Sequence, residues 1–217
     1  MCLTGCFLLP LKSISLCIIS IVVNFNYFFS LNKLKFLSME VSQKYIVLDN
    51  NPNLRNKSKD LDVNNISPSD QEKIDFMVDY IDACYDGEED KYGITSGIAI
   101  ASNQVDLDKK VIYLHFYFDE HEYKYLLANP EIIKHSSQIS YLSSGEGCLS
   151  VPDSHEGYVP RYSKIIVKGF DLINKEEVEV NAHGLLSICF QHEIDHLSGV
   201  LYYDHINKID PFYVNNE

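Results

Sequence analysis

Apolar and polar positions follow distinct rhythms along the chain. Residues 14–31 are mostly apolar, interrupted by Ser15, Ser20, Asn24, Asn26 and Ser30. Lys12 precedes this run, and Lys33 and Lys35 follow it. Its length approaches that of a membrane span. Beyond Met39 the pattern changes. Tyr45-Ile46-Val47-Leu48 opens a strand-like pattern and runs into the turn-forming Asn50-Asn51-Pro52-Asn53. Ser67-Pro68-Ser69-Asp70 reads as a helix start, and Ile74, Met77, Val78 and Ile81 then recur at helical spacing. Residues 86–91 read as a charged loop. Residues 110–118 alternate poorly but are rich in strand formers, as are 123–127 and 165–170. Residues 171–175 read as a hairpin connection, with 178–180 as the return strand. Residues 185–197 make a late helix. The pattern predicts an α+β domain of mostly antiparallel strands around that late helix, with one earlier helix.

Charge sharpens the division at Met39. All 31 acidic residues lie after Ser38, leaving the body strongly negative. So acidic a body argues against nucleic acid as a partner, because phosphate repels it. Residues 1–38 are a hydrophobic leader, read as a membrane anchor, a targeting segment, or upstream translation before a true start at Met39. The last reading is preferred, because the soluble-looking body begins there. As a signal peptide the leader is poor, with a long apolar stretch and no small-residue cleavage site. Residues 39–217 are the expected catalytic domain, and any membrane attachment would run through the leader. In the body, Cys84, Cys148 and Cys189 are sparse and far apart. They do not make a disulfide framework, and a reducing, cytoplasmic setting fits them better.

Candidate chemistry lies in two places. Gln191-His192-Glu193-Ile194-Asp195-His196-Leu197 contains H-E-x-x-H within the late helix. Residues four apart on a helix share a face, with Cβ atoms roughly 5–6 Å apart, so two imidazoles can reach one ion. Glu193 is then placed to act on water. The alternative is a helix with two ordinary histidines. Cys189 cannot be the third ligand: it lies seven residues from His196, roughly 10.5 Å along the axis. It reads as a buried wall. An H-E-x-x-H zinc peptidase is the competing class. One such class needs a third His where Tyr202 stands, and another needs a downstream Glu where only Glu217 remains.

The second place is Gly145-Glu146-Gly147-Cys148-Leu149-Ser150-Val151-Pro152. A Cys148 thiolate would complete a Cys/His/His site with one open position. A buried structural Cys and a nucleophilic thiol partnered by His192 or His196 are the other readings.

Together these residues resemble the peptide deformylases, which combine G-φ-G-φ-A-A-x-Q, E-G-C-L-S and Q-H-E-φ-D-H-L, where φ is apolar. The second and third stretches are intact here, and the longer form found in Gram-positive bacteria and mollicutes is the most similar. The first departs from the pattern: Gly97-Ile98-Ala99-Ile100-Ala101-Ser102-Asn103-Gln104 has Ala99 for the second glycine and Ser102 for the second alanine. Flanking Ile98 and Ile100 favour extended backbone, so a negative φ is expected at Ala99.

The resemblance implies a hydrolase that removes the formyl group from formyl-methionyl nascent peptides, close to the ribosome exit. It implies one divalent metal on Cys148, His192 and His196: Fe2+ in the cell, with Zn2+ or Ni2+ able to substitute. Glu193 would be the general base and acid, with Gln104 and the Leu149 N–H meeting the developing oxyanion. Gly97 would bind an extended substrate through its backbone. Ile98, Leu185, Ile188 and Cys189 would form the methionine pocket. Arg161 would lie near the substrate mouth, a plain surface charge being the alternative, and Glu146 would anchor the scaffold.

Overall fold

The computed structural model describes residues 39–214; the leader lies outside the described residues. The early helix, α1, spans Pro68–Tyr85. Its N-cap is Ser67, whose hydroxyl accepts from the Asp70 N–H at 3.1 Å, and Pro68 sits at the first helical position, where a missing N–H costs nothing. Gly87, at φ +72°, follows its end. Ile74, Phe76, Met77, Tyr80 and Ile81 are buried, and Val78 is half-buried. The expected loop at 86–91 instead contains a helical turn, α2, Glu89–Tyr92, closed by Gly93 in the left-handed region.

Five strands form one antiparallel sheet in the order β1-β2-β3-β6-β7: Ala99–Ala101, Val111–Phe118, His121–His135, Lys164–Asp171 and Glu176–His183. A smaller sheet pairs β4, Ile139–Ser140, with β5, Arg161–Tyr162. The late helix, α3, runs Gly184–His196 directly from the end of β7.

Strand β2 explains its poor alternation. Val111 and Tyr113 pack with α1 residues, whereas Ile112, Leu114 and Phe116 pack with Leu186, Cys189 and Phe190 of α3. Both faces of the strand are covered by helices, so both carry apolar residues. Strand β3 runs well beyond the expected 123–127. Asn129-Pro130 locally signals a stop. Here Asn129 takes φ +51°, and the register with β6 shifts between Ala128 and Glu131. Such a bulge accommodates a proline without ending the strand.

Tyr45–Leu48 is also corrected. Gln43–Tyr45 is a 3₁₀ turn, and residues 46–48 join no sheet. The Val47 N–H instead donates to the Gln104 carbonyl, and the Asp49 N–H to that of Ser150, each at 2.8 Å. The segment thus ties two loops together rather than joining a sheet. Among the described residues, no helix is long and apolar enough to cross a membrane.

Candidate active site

Three elements meet at a cavity of about 490 Å³: the turn after β1, the Cys148 loop and α3. The Cys148-Val151 turn, in which Leu149, Ser150 and Val151 are buried and Cys148 is half-buried, is closed by a Val151 N–H to Cys148 carbonyl bond of 3.0 Å and directs the thiol toward α3. The ligating atoms of Cys148, His192 and His196 all lie within 4.8 Å of one another. Sγ of Cys148 is 3.1 Å from His196 Nε2. The other His196 nitrogen, Nδ1, is buried without a partner among the described residues. His192 Nδ1 contacts Glu146 Oε2 at 2.8 Å, which leaves Nε2 for the cluster.

Electrostatics separate the two rings. Burial, joined by the nearby His192 and Arg161 charges, holds His196 well below its ordinary pKa, in the neutral form that ligates metals. Burial opposes the His192 imidazolium too. Its contacts with Cys148 and Glu146 outweigh burial and push it up to about 10. A cation on the same nitrogen competes with that proton.

Glu193 is 4% exposed, and its Oε2 has no hydrogen-bond partner among the described residues. Burial raises its carboxyl to about 7; the His192 charge pulls it back and Glu146 adds to the rise. Gln104 is held from both ends. Its Oε1 accepts from the Ala101 N–H at 2.8 Å, and its Nε2 donates to Ser150 Oγ at 3.0 Å and faces Cys148 Sγ at 3.5 Å.

Gly97, Ile98, Leu149, Leu185, Ile188 and Cys189 all line the cavity. A Cβ on Gly97 would approach the Leu149 side chain to 3.1 Å, so glycine permits that packing. Burial, reinforced by Glu193, pushes the Cys189 thiol up, which keeps it neutral and unreactive. Ala99 lies in β1 and is absent from the positive-φ residues, as its neighbours led one to expect.

Arg161 is placed differently from either expectation. It is neither at a mouth nor on the surface: its side chain is 3% exposed and does not line the cavity. It donates to both Glu146 oxygens, at 2.9 and 3.0 Å, and to Asp195. Burial disfavours the Glu146 carboxylate, but hydrogen bonds from His192 and Arg161 outweigh burial and lower it to about 2. A planar guanidinium matches a carboxylate's two oxygens, which is why such a pair survives inside the protein. Sequence reasoning missed three residues near the cavity. Ser150 holds Gln104, Asp195 holds Arg161, and Tyr202 stacks 6.1 Å from the His192 ring. Ser150 and Asp195 lie inside the two intact motifs, which was an available signal.

A second cavity, about 510 Å³, lies among Asn53, Lys57, Lys59, Asp106 and Asp108. It contains none of the Cys or His cluster.

A model of the polypeptide deformylase family matches residues 43–212. The chain belongs to the peptide deformylase family. It is therefore a hydrolase whose activity is removal of formyl groups from N-formyl-methionyl nascent peptides, and nothing supports the zinc-peptidase alternative. The peptide deformylase of Malacoplasma penetrans is 47% identical over 179 residues, covering 82% of this chain and 96% of that relative. Peptide deformylase 2 of Bacillus anthracis is 43% identical over 174 residues, covering 79% and 94%. Among solved structures, the deformylase of Ehrlichia chaffeensis in complex with actinonin superposes with a TM-score of 0.63 at 27% identity, covering 79% of this chain and 91% of that one. The class I type b enzyme of Acinetobacter baumannii gives 0.62 at 28% identity, covering 77% and 100%. Deformylases are metalloenzymes, and the Cys/His/His cluster supplies this chain with a set that could hold the ion.

Proposed function

We propose that Cys148, His192 and His196 hold the catalytic ion, and that Glu193 moves the proton in deformylation. One observation carries this reading. A thiol sulfur and two imidazole nitrogens converge within 4.8 Å beside a buried carboxylate with one oxygen unpartnered among the described residues. The donor set fits a divalent metal: one soft sulfur and two nitrogens suit iron or zinc and leave a position open. Ferrous iron is the proposed ion in the cell, with Zn2+ or Ni2+ as substitutes. When bound, the ion supplies Lewis acidity to water and to the formyl oxygen.

The chain's own residues do the rest. Glu193, with its carboxyl near 7, is matched to taking a proton from water and returning it to the leaving amine at neutral pH. The Gln104 Nε2 and the Leu149 N–H are proposed donors to the oxyanion, where preorganised dipoles act most strongly. Gly97 offers backbone to an extended substrate, and Ile98, Leu185, Ile188 and Cys189 receive the methionine side chain. Glu146 orients His192, and Arg161 orients Glu146. Products are formate and a free N-terminal amine. The proposed setting is the cytoplasm, close to the ribosome exit, with residues 39–217 sufficient for activity.

Formate release from formyl-Met-Ala-Ser, with and without a chelator, tests the reading. Release that stops with chelator and returns with Zn2+ or Fe2+ is expected. Release indifferent to chelation would end the metal assignment. Deletion of residues 1–38 is expected to leave activity intact, and an inactive truncation would contradict the division at Met39.

A further inference from the structure

Asn103 has no role in the chemistry above, yet three segments meet on it. The residue is 6% exposed. Its Nδ2 donates to the Leu54 carbonyl at 3.1 Å and to the His196 carbonyl at 2.5 Å. Both partners are carbonyls, which only accept, so the orientation of the amide follows from the chemistry. His196 is the last residue of α3. Its carbonyl also accepts from the Gly199 N–H at 2.9 Å. Asn103 therefore fills the second lone pair of a helix-end carbonyl that belongs to a ligand residue.

On its other side, Asn103 is one residue from Gln104. The Gln104 carbonyl accepts from Val47 at 2.8 Å, and its amide reaches Ser150 and Cys148. One turn thus touches the Cys148 loop through Gln104 and the His196 end of α3 through Asn103. Leu54, the third partner, lies in a segment that clasps the same helix end. The Ser58 N–H donates to the Leu197 carbonyl at 2.9 Å. A Cβ on Gly199 would come within 2.1 Å of the Arg55 carbonyl oxygen.

Adjacent Ser102 faces elsewhere. Its hydroxyl donates to the Lys109 carbonyl and accepts from the Val111 N–H at 3.3 Å, both toward β2. The turn therefore divides its work between two neighbouring side chains. Ser102 braces it against the sheet, and Asn103 braces it against the metal helix.

We propose that Asn103 is a positioning residue for deformylation: its amide sets the distance between the His196 ligand and the Gln104 amide. This rests on the roles given above to Gln104 and His196. Without the Asn103 donors, the last turn of α3 and the Gln104 turn are free to separate. That loosens the ligand set and misplaces the oxyanion donor, while the methionine pocket is untouched.

Three variants test this. N103A removes the amide, and N103D keeps its shape but turns acceptors toward two carbonyls. S102A cuts two bonds in the same turn without touching α3. Readouts are kcat and KM from formate release, Zn2+ affinity by chelator competition, and Tm. N103A and N103D are expected to lower kcat and Zn2+ affinity by about tenfold, with KM little changed. S102A is expected to lower Tm while kcat and Zn2+ affinity stay at the parent values. Parental kcat and Zn2+ affinity in both Asn103 variants would overturn the proposal. So would equal losses in S102A, which would reduce Asn103 to turn stability. If the parent protein released no formate, the functional reading would fail, and Zn2+ affinity would still decide for or against Asn103.

Discussion

Two histidine–carboxylate clusters sit on opposite faces of the five-stranded sheet, and they are built to different ends. On the α1 face, His115 is 4% exposed. Its Nδ1 meets Asp82 at 2.5 Å and its Nε2 meets Glu122 at 2.9 Å. Tyr113 donates to the same Asp82 oxygen, Lys124 pairs with the other at 3.1 Å, and Tyr85 stacks on the ring at 3.8 Å. Burial disfavours the Asp82 carboxylate, but its bonds with Tyr113, His115 and Lys124 lower its pKa. Both ring nitrogens and both Asp82 oxygens are engaged. On the α3 face, Glu146 engages one nitrogen of His192 and leaves the other turned to Cys148 and His196. Glu193 keeps an oxygen beside them that has no partner among the described residues. A closed network stiffens a fold, whereas an open one, held by a closed network behind it, can bind and react.

The sharpest test of the difference is removal of the proposed ligands. Cys148→Ala, His192→Ala and His196→Ala are each expected to lose nearly all bound metal and activity. Elemental analysis decides it, and stoichiometric metal in all three would erase the contrast. Glu193→Gln comes next. It should keep the metal but lose about 10²–10⁴ in kcat, because an amide cannot take the proton. A native rate in that variant would remove Glu193 as the base.

Glu146→Gln probes the closed network behind the open one. It leaves the buried Arg161 charge half-paired, so a loss of about 3–5 kcal/mol in unfolding free energy is expected at neutral pH. Metal affinity should fall about 10–100-fold as His192 loses its orientation. The pH dependence has a definite sign. The folded value of about 2 lies below the roughly 4.3 of a free glutamate. The ionised group therefore stabilises the fold above about pH 4, and this contribution is lost as pH falls toward 2. The stability gap between parent and variant should narrow across that window in urea titrations. A gap independent of pH would show that Glu146 is not the group responsible.

His115→Gln should behave oppositely. A cost of about 1–3 kcal/mol is expected from the broken contacts, with metal content and kcat at parental values. A lost metal site in this variant would mean that the clusters are coupled through the sheet. Ala99→Gly should matter least. Ala99 sits in a strand with ordinary φ, so glycine costs about 0.5–1 kcal/mol of backbone entropy. KM should shift modestly with metal unchanged. A collapse of kcat/KM would show a cleft rebuilt around the Ala99 methyl.

Much of the site was legible because its signals are local. Ser67 caps α1 from three residues away, and His192 and His196 share a face because a helix repeats every 3.6 residues. Cys148 needed the family pattern, since a lone cysteine in a turn has several readings. The strands were legible in kind but less so in extent. Asn129-Pro130 looks terminal until β6 provides a bulge, and β2 looks irregular until helices cover both its faces.

Arg161 marks the boundary between the two kinds of knowledge. From the chain alone its charge suggested the substrate mouth or plain surface. Its real partners, Glu146 and Asp195, are 15 and 34 residues away, and no local window contains all three. Asn103 is similar, tied to a carbonyl 93 residues on. The residues proposed as ligands, the helix that presents two of them and the class of reaction were legible in the sequence, because motifs of neighbouring residues along the chain express them. Which carboxylate stays ionised, which stays near neutrality and which polar groups remain open were decided only by tertiary structure. Those properties depend on desolvation and on charges brought close by folding, and neither exists until distant segments meet.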